Sequence, residues 1–115
     1  MSEFVKIVEV GARDGLQNEK TALTLAQRKD FILDLMKTGV QAIEVGSCVS
    51  AKWVPQMADS DSLFSQLPKD PNIQLSLLTP NLKGLQSALA VGCSEVAIFT
   101  AASESFTQKN INCSI

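Results

Sequence analysis

Thirteen residues near the start of the chain, "VEVGARDGLQNEK" (Val8 to Lys20), bring together Glu9, Arg13, Asp14, Gln17, Asn18, Glu19 and Lys20 around Gly11 and Gly15. A turn leaving a strand needs polar residues, but seldom this many groups able to hold a ligand. Arg13 and Asp14 are adjacent, so both can project from one tight loop, and the two glycines let the backbone turn there. The pair could simply neutralise itself or cap a helix. Its functional alternative divides two tasks: the carboxylate takes a hard divalent cation, and the guanidinium holds a carbonyl oxygen as negative charge develops on it. Those tasks together suit enolate chemistry, the making or breaking of a carbon–carbon bond next to a carbonyl with a metal gripping oxygen atoms. A second acid, Glu44, lies between Ile43 and Val45 in a run expected to be buried. A buried carboxylate is costly unless it is paired or ligand-bound, so Glu44 is either a structural ion-pair partner, for instance of Arg13, or a catalytic acid.

The elements that must position these groups follow from periodicity. "FVKIVEV" (Phe4 to Val10) is an apolar, β-branched run closed by Gly11 and predicts a strand. "TLAQRKDFILDLMKTG" predicts a helix: Thr24 and Gln27 make a capping box, Leu25, Phe31, Ile32, Leu35 and Met36 form a helical stripe, and Gly39 stops it. "VQAIEVG" predicts a second strand ending at Gly46. A loop from Ser47 to Met57 carries Trp53 and Pro55, and a short helix from about Ser60 to Leu67 is closed by Pro68. "IQLSLLT" (Ile73 to Thr79) predicts a third strand. Pro80 and Asn81 open a helix with Leu82, Leu85, Leu89 and Gly92 along one side, and "EVAIFTA" (Glu95 to Ala101) predicts a fourth strand.

Strands alternating with helices argue for a parallel sheet with helical crossovers, and strands this continuously apolar are expected to be covered on both faces. Two architectures fit: an open doubly wound sheet, or the first half of a (β/α) barrel. "GARDG" is neither G-x-G-x-x-G nor a P-loop, which counts against the nucleotide-binding form of the open sheet. A barrel collects its ligand groups just past the C-terminal ends of the strands. The candidates at those positions are Arg13 and Asp14, Glu44, Thr79 and Asn81, and Ser103 and Glu104.

Composition bounds the rest. The chain has 115 residues, 45% hydrophobic and 19% charged, with a net charge of −2, the balance of an ordered domain. No run of like charge suggests a nucleic-acid partner, and no apolar stretch reaches the roughly 18 residues of a membrane span. The first apolar run begins by residue 4, which predicts no signal or transit peptide and a cytoplasmic location. Three isolated cysteines, Cys48, Cys93 and Cys113, show no C-x-x-C spacing, so they read as small buried or half-buried thiols. There is no histidine, so any mechanism requiring an imidazole cannot be completed by this sequence alone.

"VEVGARDGLQNEK" closely resembles the first-strand signature of the 3-hydroxy-3-methylglutaryl-CoA lyases. So do "KWVPQMAD" (Lys52 to Asp59), "LTPNLKG" (Leu78 to Gly84), "AASE" (Ala101 to Glu104) and "KNINCSI" (Lys109 to Ile115), in the same order along the chain. The related condensing synthases usually show a threonine- or leucine-led "LRDG", which favours the lyase. Ala12 stands where relatives often have proline, Cys48 where phenylalanine is common, and Ser60 where many have histidine.

The resemblance implies a metal-dependent barrel enzyme that splits hydroxymethylglutaryl-CoA into acetoacetate and acetyl-CoA, as in leucine degradation. Under it, Asp14 is a ligand of a divalent cation, Mg or Mn. Arg13 holds the thioester carbonyl and steadies the enolate, and Glu44 is a catalytic-site acid nearby. Gln17 and Lys20 contact the substrate or its CoA arm. The fold implied is α/β, with parallel (β/α) units over residues 1–115 forming the first half (about four strands and three helices) of a TIM (β/α)8 barrel. The sequence stops where a fourth helix should begin, and is expected to be a truncated N-terminal half. The two histidines and the asparagine that complete the metal site, and a cysteine-bearing lid, belong to the other half, so none of the three cysteines inherits the lid's role. Expected partners are an acyl-CoA substrate and either a second copy of the chain, as a homo-oligomer, or the missing C-terminal half. No nucleic acid and no membrane are expected. The alternative is an inactive half-barrel that serves as an assembly module.

Overall fold

A computed structural model of the chain describes residues 5–98. Seven regular elements alternate: β1 (Val8–Glu9), α1 (Leu25–Met36), β2 (Ala42–Ser47), α2 (Ser60–Gln66), β3 (Gln74–Leu78), α3 (Leu82–Ala90) and β4 (Val96–Ala97). All strand pairs are parallel and the sheet order is β1-β2-β3-β4. An open doubly wound sheet reverses its order at a switch point; among the described strands this one runs straight through, as barrel strands do.

Local signals set most boundaries. The Thr24 hydroxyl accepts a hydrogen bond from Gln27 N (3.1 Å) and the Gln27 side-chain oxygen accepts one from Thr24 N (2.9 Å), so the expected capping box is formed. Gly39 has φ +86°, the left-handed value that ends α1 and that favours glycine. Asn81 caps α3 by accepting from Gly84 N at 2.8 Å.

Ile43 and Val45 of β2 and Leu77 of β3 join Ile32 of α1, Leu63 of α2 and Ala88 of α3 in one buried cluster. Glu44 and Ser47 pair across the sheet with Ser76 and Leu78, and three of these four are polar. One side of the sheet therefore forms the hydrophobic core, and the other presents buried polar groups.

Three expectations change. Of the strand expected over Phe4–Val10, the described residues pair only at Val8–Glu9, and Val5, Ile7 and Val8 are exposed. The apolar run lies at a sheet edge with a neighbour on one side only among the described residues. On α3 the expected stripe of Leu82, Leu85 and Leu89 is not the buried side: Leu82 and Leu89 are exposed and Leu85 is half-buried, while Gly84 and Ala88 are buried. The backbone after β2 presses so closely that a Cβ on Gly84 would lie 2.6 Å from the Cys48 carbonyl oxygen, so only the smallest side chains fit against it. Neither Gly11 nor Gly15 has a positive φ. What Gly11 accommodates is the Glu9 carboxylate, which accepts from Gly11 N at 2.9 Å and would stand 2.8 Å from an added Cβ. The stretches Ala101–Glu104 and Lys109–Ile115, with Ser103, Glu104 and Cys113, lie outside the described residues, as do the expected strand beyond Ile98 and its approach to a fourth helix.

Candidate active site

The segment after β1 forms a single wide helical turn, Gly11–Gly15, in which the amides of Arg13, Asp14 and Gly15 all donate to the Val10 carbonyl (3.1, 2.7 and 3.3 Å). One carbonyl thus gathers three successive amides. The turn lifts the Arg13 and Asp14 side chains beside the C-terminal end of β2.

There Arg13 Nε donates to Glu44 Oε1 at 2.5 Å, and Arg13 Nη1 lies 3.4 Å from Asp14 Oδ1. The Glu44 side chain is 9% exposed, Arg13 20% and Asp14 57%. One guanidinium therefore joins a buried carboxylate to an exposed one. Charge-assisted bonds of this kind hold geometry well, and the buried acid is neutralised as its burial demands. Asn18 Nδ2 donates to the Asp14 backbone oxygen at 2.8 Å and lies 3.4 Å from its carboxylate, which ties the Asp14 end of the turn.

These groups line a cavity of about 350 Å³ with Gln17, Ser47, Leu78, Pro80, Ala97 and Ile98. Every described strand contributes to it from its C-terminal end or from the residues just beyond, as the barrel reading expects. Gln17 Oε1 is buried there without a hydrogen-bond partner, an acceptor left for a ligand or an ordered water. Arg13, Asp14, Glu44 and Gln17 are thus brought together. Lys20 is exposed and is not among the lining residues. Thr79 turns to its neighbour, Oγ1 donating to Ala97 O at 3.3 Å, and Asn81 is occupied in capping α3.

Two further residues, not singled out in the sequence, matter. Ser47 is fully buried and lines both this cavity and a neighbouring one of about 360 Å³. Strand alternation would have put Gly46, not Ser47, on the face of Glu44. Arg28 is 2% exposed, with Nη1 donating to Ala58 O (2.6 Å) and Nη2 to Ser60 Oγ (2.9 Å). Burial pushes its guanidinium below the ordinary value, with Asp59 opposing the shift. A signal for Arg28 was present: it sits three residues after Leu25 and four before Ile32, within the apolar stripe. In the second cavity Cys48 is half-buried. Burial first, then the charge of Asp61 and the neighbouring Cys93, push its thiol up from 9.0 to about 11.

The Asp14 carboxylate is a hard oxygen donor of the kind that suits Mg or Mn. Among the described residues no group of three or more His, Cys, Asp or Glu side chains converges on one point. The fit to a divalent cation is therefore that of a partial ligand set.

A straight-ordered parallel sheet with an Arg–Asp–Glu cluster towards its C-terminal end defines a (β/α)-barrel unit. The chain belongs to the HMGL-like family, whose pattern matches residues 4–115. It is 53% identical over 115 residues, all of this chain and 34% of the relative, to the cytoplasmic 3-hydroxy-3-methylglutaryl-CoA lyase of Rattus norvegicus. It is 53% identical over 111 residues, 96% of this chain and 37% of the relative, to a 3-hydroxy-3-isohexenylglutaryl-CoA/hydroxymethylglutaryl-CoA lyase of Pseudomonas aeruginosa. The mitochondrial hydroxymethylglutaryl-CoA lyase of Pongo abelii shares 55% over 111 residues, 96% of this chain and 34% of the relative. Among solved structures, the HMG-CoA lyase of Brucella melitensis superposes with a TM-score of 0.90 at 45% identity, covering 99% of this chain and 40% of that one. An HMG-CoA lyase of Acinetobacter baumannii, in complex with coenzyme A and 3-methylmalate, superposes with a TM-score of 0.91 at 32% identity, covering 99% and 38%. The chain thus spans about a third of the length of the curated relatives it matches, and its four-stranded unit corresponds to part of their TIM barrel.

Proposed function

We propose that this chain supplies the Arg13–Asp14–Glu44 portion of a divalent-metal-dependent lyase that cleaves 3-hydroxy-3-methylglutaryl-CoA to acetoacetate and acetyl-CoA, a step of leucine degradation. The observation that carries the reading is Arg13, fixed by buried Glu44 and set beside exposed Asp14 in a cavity at the strands' C-terminal ends. In that reaction the 3-hydroxyl loses its proton and the C2–C3 bond breaks. The electron pair moves onto the thioester carbonyl as an enolate, and C2 then takes up a proton. Arg13 meets the charge growing on that oxygen. Glu44 keeps the guanidinium from turning away, so its orientation is set before reaction. Gln17, with its free buried acceptor, holds a substrate donor, and Lys20 reaches only the CoA arm outside the cavity. A bound Mg or Mn ion, with Asp14 as one ligand, would supply Lewis-acid polarisation of substrate oxygens. By itself the chain binds the cation weakly and cleaves little substrate, because a single carboxylate without imidazole partners is a poor cage.

Complementation tests this. The chain is mixed with the Pseudomonas aeruginosa relative lacking its matching 111 residues, and acetoacetate release is followed with Mg present. Release is expected with the native chain, and about a hundred- to a thousandfold less with Arg13→Met. No release from the native mixture, or equal release from both, refutes the reading.

A second reading is favoured by the exposed apolar edge at Val5, Ile7 and Val8. Uncovered strand edges pair readily, so the chain acts as an assembly module that joins another strand, from a second copy or from further (β/α) units. A monomer at all concentrations in sedimentation would remove this reading.

A further inference from the structure

Glu44 and Ser47 share one face of β2 although three positions separate them, a spacing that simple alternation does not allow. The register shows how. Glu44 lies opposite Ser76, Gly46 opposite Leu77 and Ser47 opposite Leu78, so Val45 is an extra residue and β2 is bulged. A bulge re-aims side chains, at the cost of interrupted pairing, and its conformation must be held by what packs behind it.

Behind Gly46 lies a buried polar clamp. A Cβ on Gly46 would stand 2.5 Å from Ser60 Oγ and 2.9 Å from Arg28 Nη2. Ser60 Oγ accepts from Ser47 N (3.2 Å) and from Arg28 Nη2 (2.9 Å), and donates to Met57 O (2.7 Å). Arg28 Nη1 donates to Ala58 O at 2.6 Å. Among the described residues no carboxylate comes within 4.0 Å of this guanidinium, and its Nε is buried without a partner. An arginine buried without a direct counter-ion is an expensive way to fill a core position. Its forked donors, however, span two acceptors at once, which a lysine cannot do.

We infer that Arg28 is a positioning residue: acting through Ser60 and the Ser47 amide, it holds the β2 bulge and thereby places Glu44 and Ser47 side by side in the C-terminal cavity. The functional sense of this rests on the reading of that cavity given above, whereas its geometry does not.

The test reads the Arg13–Glu44 bond directly. Arg13 Nε–H gives a slowly exchanging signal in 15N-edited NMR of the native chain, assigned by its loss in Arg13→Lys. Arg28→Met is expected to speed its exchange about tenfold or more, with Arg28→Lys partly restoring it. Leu67→Ala, a core truncation outside the clamp, controls for general destabilisation and should leave the signal within about twofold of native. Should Arg28→Met not fold, Ser60→Ala removes only the bridging oxygen and is expected to act in the same direction. Native-like exchange in Arg28→Met or Ser60→Ala overturns the inference, as does equal acceleration in Leu67→Ala. Failure of the chain to support acyl-CoA cleavage would sink the lyase reading and leave this result untouched.

Discussion

Cutting the Arg13–Glu44 pair from its two ends should cost unequal amounts, and the structure gives the order. Glu44 is the more buried partner, at 9% side-chain exposure against 20% for Arg13. Arg13→Met strands a carboxylate that has no other partner among the described hydrogen bonds. Losing one member of a buried pair costs about 3–5 kcal/mol, and since the cavity lets some water reach Glu44, about 3 kcal/mol is expected. Glu44→Gln keeps an oxygen for Arg13 Nε and exchanges a charged hydrogen bond for a neutral one, a loss of about 1 kcal/mol. Arg13 also retains Asp14 at 3.4 Å and some access to solvent. The two variants should therefore differ by about 2 kcal/mol, with Arg13→Met the worse. Urea unfolding followed by far-UV circular dichroism measures this, with an unchanged m-value confirming that only stability has moved. Adding Glu44→Gln to Arg13→Met should recover stability, because the stranded charge is gone. Equal costs, or a larger cost for Glu44→Gln, would refute the claim that Glu44 is the group whose desolvation must be compensated.

Asp14→Ala should leave stability within about 0.5 kcal/mol, the usual range for an exposed side chain, yet abolish the weak Mn binding measured by calorimetry; unchanged binding would remove Asp14 from the metal's ligands. Gly84→Ala, whose Cβ meets the Cys48 carbonyl at 2.6 Å, should lower stability by about 1–3 kcal/mol through backbone strain, read from its urea midpoint. Cys48, with its thiol pushed up from 9.0 to about 11, should be alkylated at pH 8 about a hundredfold more slowly than a free thiol, measured by mass spectrometry of the peptide that carries it. Its native form retains a proton that the unfolded chain releases, so its contribution to stability is complete below pH 9.0 and is lost as pH rises through about 11. Cys48→Ala should remove that part of the alkaline decline.

What could be read directly from the chain was local. The Thr24–Gln27 box and the Gly39 stop depend on neighbours three or four residues away, and both formed as expected. The alternation of apolar strands and amphipathic helices implied a parallel sheet, because parallel neighbours need a long crossover connection and a helix is its usual form. The adjacency of Arg13 and Asp14, and the implausibility of an unpaired Glu44 inside a strand, point to the site from sequence alone. The tertiary structure decided the rest. That Glu44 meets Arg13 depends on a turn folding against a strand 31 residues away. Leu82 and Leu89 face outward because the backbone at Cys48 leaves room only for Gly84, a limit set by another loop rather than by helical periodicity. Ser47 joins Glu44 only because β2 bulges at Val45, and Arg28 is buried only because Ala58 and Ser60 arrive from another element to receive its donors. Sequence pattern specifies which side chains seek burial or partners; which partners they find is decided by contacts between segments far apart in the chain.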